Sequence, residues 1–268
     1  MAGAAGVAAV DRALAILEAF TDQDARLSLA ELAKRTGLYK STVIRLAKSL
    51  EKARFVIRAE DGSYRLGSKL LSLGAIYQKH FGTADVVPQV LRQIVEELQE
   101  GASFYVRDET HRLCLHRVDS RRAVRDTIHE GSRLPLTVGA AGHVILAFSG
   151  LSGDRYDEIR KHLYAASFGE RDPETAAVAC PVIGLNQQFI GALSVSGPRY
   201  RIEALGVGAI LPVLFKHARA LSRTLGGNPE APEFAAWLKL PKPVRTAQPV
   251  SPPKHYRPLS RRAISPGR

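Results

Sequence analysis

Between Lys40 and Arg65 the chain gathers side chains suited to a polyanion. Ser41, Thr42, Arg45, Lys48, Ser49 and Lys52 fall on one side of a helical period whose other side is Val43, Leu46, Ala47 and Leu50. Such a polar face suits the major groove of double-stranded DNA, where a guanidinium can read guanine while hydroxyl and ammonium groups hold phosphate. The expected roles are base reading for Ser41, Thr42 and Arg45, and phosphate contact for Lys40, Lys48, Arg58 and Arg65. The competing reading of any one basic residue is a solvated helix face.

A second constellation lies downstream. In a strand from Phe189 to Ser196, period two places Ile190, Ala192, Ser194 and Ser196 on one face, so two hydroxyls end an otherwise apolar row. Gly139-Ala140-Ala141-Gly142 precedes a helix, and amides at a helix start attract carboxylate. Together they suit a small organic acid, with local satisfaction of each serine hydroxyl as the alternative. A third group is His111, Cys114 and His116. The last two share a face of a regular strand and would offer a soft metal two ligands, with His129 or His143 completing a site, which makes a metal- or redox-responsive DNA-binding sensor the alternative. No paired CxxC and no acidic cluster accompanies them, so no metal and no cofactor is expected. Catalytic signatures are absent: there is no Gly-x-Ser-x-Gly elbow, HExxH or P-loop, and Gly206-Val-Gly208 lacks the third glycine of a dinucleotide loop. An enzyme built on the second half of the chain is the minor alternative.

The elements that must position these groups are legible too. Ser28 and Glu31 form a capping box, Leu29, Leu32 and Ala33 give a stripe, and Gly37 permits a sharp turn into the next helix, expected from Ser41 to Arg54. Phe55, Ile57, Tyr64 and Leu66 then alternate with Val56, Arg58, Ser63 and Arg65 around Asp61-Gly62, a strong hairpin signal. Two helices and a hairpin make a winged helix-turn-helix. Val10, Leu14 and Leu17, widened by Ile16 and Phe20, would close its core from an earlier helix. The expected division is a DNA-binding domain at 7–67, a linker helix at 68–83, an α+β domain at 84–227 and a basic tail at 228–268. In the linker, Leu70, Leu71, Leu73, Ile76 and Tyr77 give a stripe wide enough to bury against a second copy, so a homodimer is expected, as paired half-sites require.

The second domain reads as helix from Val86 to Leu98 and strands Phe104 to Arg107 and Leu113 to Val118. Helices Gly139 to Phe148 and Tyr156 to His162 follow, then strands Ala176 to Ile183 and Phe189 to Ser196, and a last helix from Ile202 to Leu225. The net charge is +12, but residues 228–268 hold eight Lys or Arg against two Glu, leaving +6 on the body. With nine of the fifteen prolines, that tail is expected to be disordered, either as a nonspecific DNA-binding arm or as a solubilising extension. Two isolated cysteines, the lack of a secretory signal and charges interrupting every apolar run suggest the cytoplasm and no membrane partner.

Val10-Asp-Arg-Ala-Leu-Ala-Ile-Leu, Thr36-Gly-Leu-Tyr-Lys-Ser-Thr-Val-Ile-Arg-Leu and Tyr64-Arg-Leu-Gly, followed by Leu134-Pro-Leu, Gly139-Ala-Ala-Gly, Gly169-Glu-Arg, Ala179-Cys-Pro-Val and Ser194-Val-Ser-Gly-Pro, resemble the recurring phrases of the IclR-type bacterial transcriptional regulators. The resemblance runs over residues 7–227. It implies a GAF-like effector domain, a homodimer or dimer of dimers, an operator, and a small-molecule effector such as a carboxylate. By the same likeness Ser167 and Cys180 join Ala140, Ala141, Gly142, Ser194 and Ser196 as effector-binding candidates. Two departures stand out: His143 replaces the Lys or Arg usual after Gly-Ala-Ala-Gly, and the segment from Phe148 to Gly169 is short.

Overall fold

The computed structural model describes residues 6–231, apart from 22 and 81, together with Phe234. The expected disordered tail lies outside the described residues except for 228–231 and Phe234. The chain forms two compact units, residues 1–82 and 83–268.

The first unit contains α1 (Ala8–Glu18), α2 (Leu29–Thr36), α3 (Lys40–Lys52), β1 (Val56–Arg58), β2 (Tyr64–Leu66) and α4 (Ser68–His80). Helix α2 opens with the capping box, the Ser28 hydroxyl accepting from the Glu31 amide while Glu31 accepts from the Ser28 amide, and closes on Gly37 at φ 68°. Ile16, Leu32, Val43 and Ala47 are fully buried at the centre of its core. Burying each of the larger three contributes about 1.5–3 kcal/mol. The stripe of α1 differs from the expected one: Ile16, with Ala13, Leu17 and Phe20, faces the core, while Val10 and Leu14 are about half exposed at 54% and 49%. In the hairpin, Tyr64 pairs with Arg58 and Leu66 with Val56, so the apolar residues do not share one face as simple alternation suggests. Tyr64 and Val56 are buried, and Tyr64 also bridges to Leu27. Gly62 takes φ 80°, and the Asp61 side chain accepts from the Ser63 amide at 2.9 Å, fixing the turn.

The second unit is a six-stranded antiparallel sheet ordered β5-β4-β3-β8-β7-β6, formed by β3 (Gly101–Asp108), β4 (His111–Val118), β5 (Arg133–Pro135), β6 (Ala165–Phe168), β7 (Thr175–Ile183) and β8 (Phe189–Pro198). Strands β5 and β6 carry too few residues to show a period. Helices α5 (Val87–Leu98) and α9 (Val207–Thr224) cover one face, and α6 (Ala140–Phe148) with α7 (Asp154–His162) lies on the other. The alternation in β7 shows this directly: the Cys180 thiol reaches the Leu214 carbonyl of α9 at 3.9 Å, whereas its neighbour Ala179 belongs to the core beneath α6. The expected single last helix is two, α8 (Arg199–Leu205) and α9, bent by 85° where Gly206 adopts φ 74°. No single helix among the described residues is long and apolar enough to cross a membrane.

One irregularity separates Cys114 from His116. Phe104 pairs with His116 but Tyr105 with Cys114, so Leu115 is the inserted residue of a bulge. Cys114 therefore points towards α6 and His116 towards the opposite face, where its ring nitrogen lies 3.1 Å from the Thr83 hydroxyl. The expected common face for Cys114 and His116 does not exist, and no group of three metal-binding side chains occurs among the described residues.

Candidate functional site

On the first unit, Lys40, Ser41, Arg45, Lys48, Arg58 and Arg65 are exposed and Thr42 is half-buried. Lys40, Arg45, Lys48 and Arg65 make no ion pair with another described residue, so their charge is available to a ligand. Val43, Leu46 and Ala47 anchor the other side of α3, which gives the polar face a rigid base. The two helix starts differ. The start of α2 is closed by its own serine and glutamate, whereas α3 begins after Tyr39 with no side-chain cap and no acidic residue in its first turn. Its free amides and the positive end of its dipole add to the cationic face. Arg58 and Arg65 leave opposite faces of the hairpin, since Arg58 pairs with Tyr64 and Arg65 with Ile57.

On the second unit, the sheet and α6 enclose a small cavity of about 30 Å³ lined by Tyr105, Arg112, Asp126, Ile128, Gly139, Ala140, Ala141, Ser167, Arg171, Thr175, Ala176, Ala177, Ser194 and Ser196. That is room for about two water molecules. An open cleft of about 570 Å³ shares Asp126, Arg171 and Thr175 with it and continues to Pro173, Pro198, Arg199 and Tyr200.

Charges are concentrated at this junction. Arg112 is 4% exposed; its guanidinium donates to the Pro135 and Val138 carbonyls and lies 5.5 Å from the centre of the Tyr105 ring. Burial lowers the Arg112 pKa and raises that of the Tyr105 phenol to about 12. Arg171 donates to Asp126 Oδ1 at 2.5 Å, and Arg117 donates to the Asp126 carbonyl at 3.0 Å. Arg117 also donates to Ser103 at 2.8 Å and to Ser196 at 3.2 Å, while Ser194 donates to the Val178 carbonyl at 3.3 Å. Ser194 and Ser196, two of the three serines that line the cavity, thus have protein partners. Glu170 supplies a carboxylate to the start of α6, accepting from the Gly139 amide at 2.8 Å, His143 at 2.7 Å and Arg155 at 2.8 Å. Burial alone would raise its pKa, but these hydrogen bonds outweigh that and hold it at about 2.

Residues 9–59 match the family model of the IclR helix-turn-helix domain, and residues 77–152 and 153–223 match that of the bacterial transcriptional regulator IclR C-terminal domain. The chain belongs to the IclR family. It is a DNA-binding transcriptional regulator. It is similar to the regulator KipR of Bacillus subtilis, with 25% identity over 242 residues that cover 81% of this chain and 96% of KipR. Among solved structures it resembles an IclR-type regulator from Silicibacter sp. TM1040, 26% identical with a TM-score of 0.65, covering 84% of this chain and 99% of that one. It also shares the fold of an IclR homolog from Microbacterium hydrocarbonoxydans complexed with 4-hydroxybenzoate, 19% identical with a TM-score of 0.69, covering 81% of this chain and 99% of that one. The break between the two C-terminal matches falls within the short segment from Phe148 to Gly169.

In this IclR-family chain, Ala140, Ala141, Ser167, Ser194 and Ser196 come together around one cavity, while Gly142 and Cys180 lie elsewhere. Gly142 packs against the Leu136 carbonyl, where a Cβ would sit 2.3 Å away. Cys180 is one residue out of step with Ala177 and Ala179 and faces α9. Arg112, Asp126 and Arg171 also line the cavity. Arg112 had a signal in the sequence, two residues from Cys114 on the inward parity of β4. Asp126 and Arg171 are 45 residues apart and lie in aperiodic loops.

Proposed function

We propose that this IclR-family regulator binds its operator as a homodimer or dimer of dimers and that a small organic carboxylate in the second unit sets its affinity. The observation that carries the effector reading is the cavity beneath α6, with apolar walls and the guanidinium groups of Arg112 and Arg171 among its lining residues. The 4-hydroxybenzoate bound by the M. hydrocarbonoxydans homolog supports small-molecule control in this fold. Dimer formation is supported by apolar side chains that one chain leaves exposed: Val7 (68%), Leu71 (79%) and Ile76 (64%).

On DNA, Ser41, Thr42 and Arg45 read base edges, and Lys40, Lys48, Arg58 and Arg65 contact phosphates. The domain serves binding rather than catalysis and acts in the cytoplasm, where operators lie. Its two thiols are poor nucleophiles, because burial raises both, Cys114 to about 12 and Cys180 further. Fluorescence anisotropy against duplex from the gene's own upstream region and a shuffled duplex tests the reading. Preference of about 10³ or more at physiological salt, altered by a carboxylate, is expected. Equal and steeply salt-dependent binding to both would refute specific recognition of that region.

A further inference from the structure

Asp126 sits at the junction of the inner cavity and the outer cleft with its side chain 2% exposed. Oδ1 is held by Arg171, but the equally buried Oδ2 has no hydrogen-bond partner among the described residues. A buried carboxylate oxygen in that state favours any ligand that brings a donor. Arg112, lining the same cavity, has a buried Nε that is likewise without a partner. Two residues of the lining thus carry an unpaired buried acceptor and an unpaired buried donor, in company with Tyr105, Ile128 and Ala177.

We propose that Asp126 makes the effector site selective for a hydroxycarboxylate, whose hydroxyl donates to Asp126 while its carboxylate is held by Arg112 and Arg171. The assignment rests on the effector reading above and adds the chemical class. An amino acid would also bring a donor, but its ammonium would sit among the guanidinium groups of Arg112, Arg117 and Arg171, which disfavour a further cation. A keto acid presents only acceptors to Asp126. The start of α6 is a poorer place for the carboxylate, because the Gly139 amide is already bonded to Glu170. With space for about two waters in the inner cavity, a ligand of three or more carbons extends towards the cleft of about 570 Å³ past Arg171.

The test is isothermal titration calorimetry of the full-length chain with three matched sets: lactate, pyruvate and propionate; 2-hydroxyglutarate, 2-oxoglutarate and glutarate; mandelate, phenylglyoxylate and phenylacetate. In whichever set binds, the hydroxy acid should bind about tenfold or more tightly than its keto and unsubstituted partners, the discrimination expected of a hydrogen bond to a buried charged group. Asp126→Asn keeps the shape but can present a donor, so the preference should shift to the keto acid. Equal binding within a set, or a hydroxyl preference that survives Asp126→Asn, would overturn the assignment. The underlying reading fails separately: an acid that binds without hydroxyl preference, and is excluded by the cavity-filling Ala177→Leu, leaves the effector pocket standing and removes the role of Asp126. No binding by any of the nine acids overturns both.

Discussion

Gly142→Ala isolates the packing that holds α6 over the cavity. The added methyl would lie 2.3 Å from the Leu136 carbonyl oxygen and 2.9 Å from the Arg112 guanidinium, where contacts below 3.0 Å are essentially never seen. The backbone must therefore yield by about 0.7 Å, and overpacking of this kind costs about 1–3 kcal/mol. Replacing glycine within a helix returns up to about 1 kcal/mol. The net expectation is a loss of about 1–2 kcal/mol, or a fall in Tm of ~2–8 °C for a domain of this size. Gly208→Ala is the matched control. It lies in the first turn of α9 with nothing within 4 Å of a new Cβ, so it should gain about 0.5 kcal/mol. Scanning calorimetry of the three full-length proteins at one concentration makes the comparison, since self-association shifts Tm. A Gly142→Ala Tm equal to or above that of the parent would refute the packing argument. Unchanged stability with weakened effector binding would make Gly142 a ligand contact instead.

The remaining expectations concern both units. Arg45→Ala should cost about 1–3 kcal/mol of specific affinity and relax preference at one base, whereas Lys48→Ala should weaken all sequences alike and reduce the salt slope by about 1. Binding isotherms over a salt series separate the two, and unaltered specificity in Arg45→Ala means that α3 does not read bases through this residue. Leu32→Ala, at a fully buried position, should destabilise the first unit by about 2–5 kcal/mol and abolish operator binding at growth temperature, which denaturant titration checks. Burial holds the His116 pKa below its ordinary 6.5, with the Thr83 hydroxyl at 3.1 Å and Glu130 at 3.9 Å as its polar neighbours. The folded state thus favours neutral imidazole, so this contribution is complete above pH 6.5 and is lost as pH falls through the lower folded value. His116→Gln should flatten the stability profile in that window. A profile as steep as the parent's would assign the effect to other groups.

The helix-turn-helix was legible because its signals are local. The capping box, Gly37 and the Asp61-Gly62 turn each lie within a few residues of what they control, and α3 repeats at helical spacing for thirteen residues. The buried stripe of α1 is not legible in its sequence because apolar residues lie all round that helix, and only its partners choose Ile16 over Val10 and Leu14. Ser194 and Ser196 were legible through the regular period of β8. Cys180 was carried over by likeness, although counting from Ala177 already sets it on the other face.

What the local pattern lacks is any mark of long-range insertion and charge pairing. Leu115 adds one residue to β4 without a glycine or proline to signal it, and that single step moves His116 off the face of Cys114. The same step leaves Cys114 in the core beneath α6 while His116 turns towards Thr83. Asp126 and Arg171 meet only because β3, β8 and β7 are neighbours in the sheet, which brings the loops after β4 and β6 to one edge of the cavity. Neither loop has a period from which that meeting can be read. Serines on a strand could therefore locate the cup from sequence alone, but the charges proposed to choose its ligand required the topology.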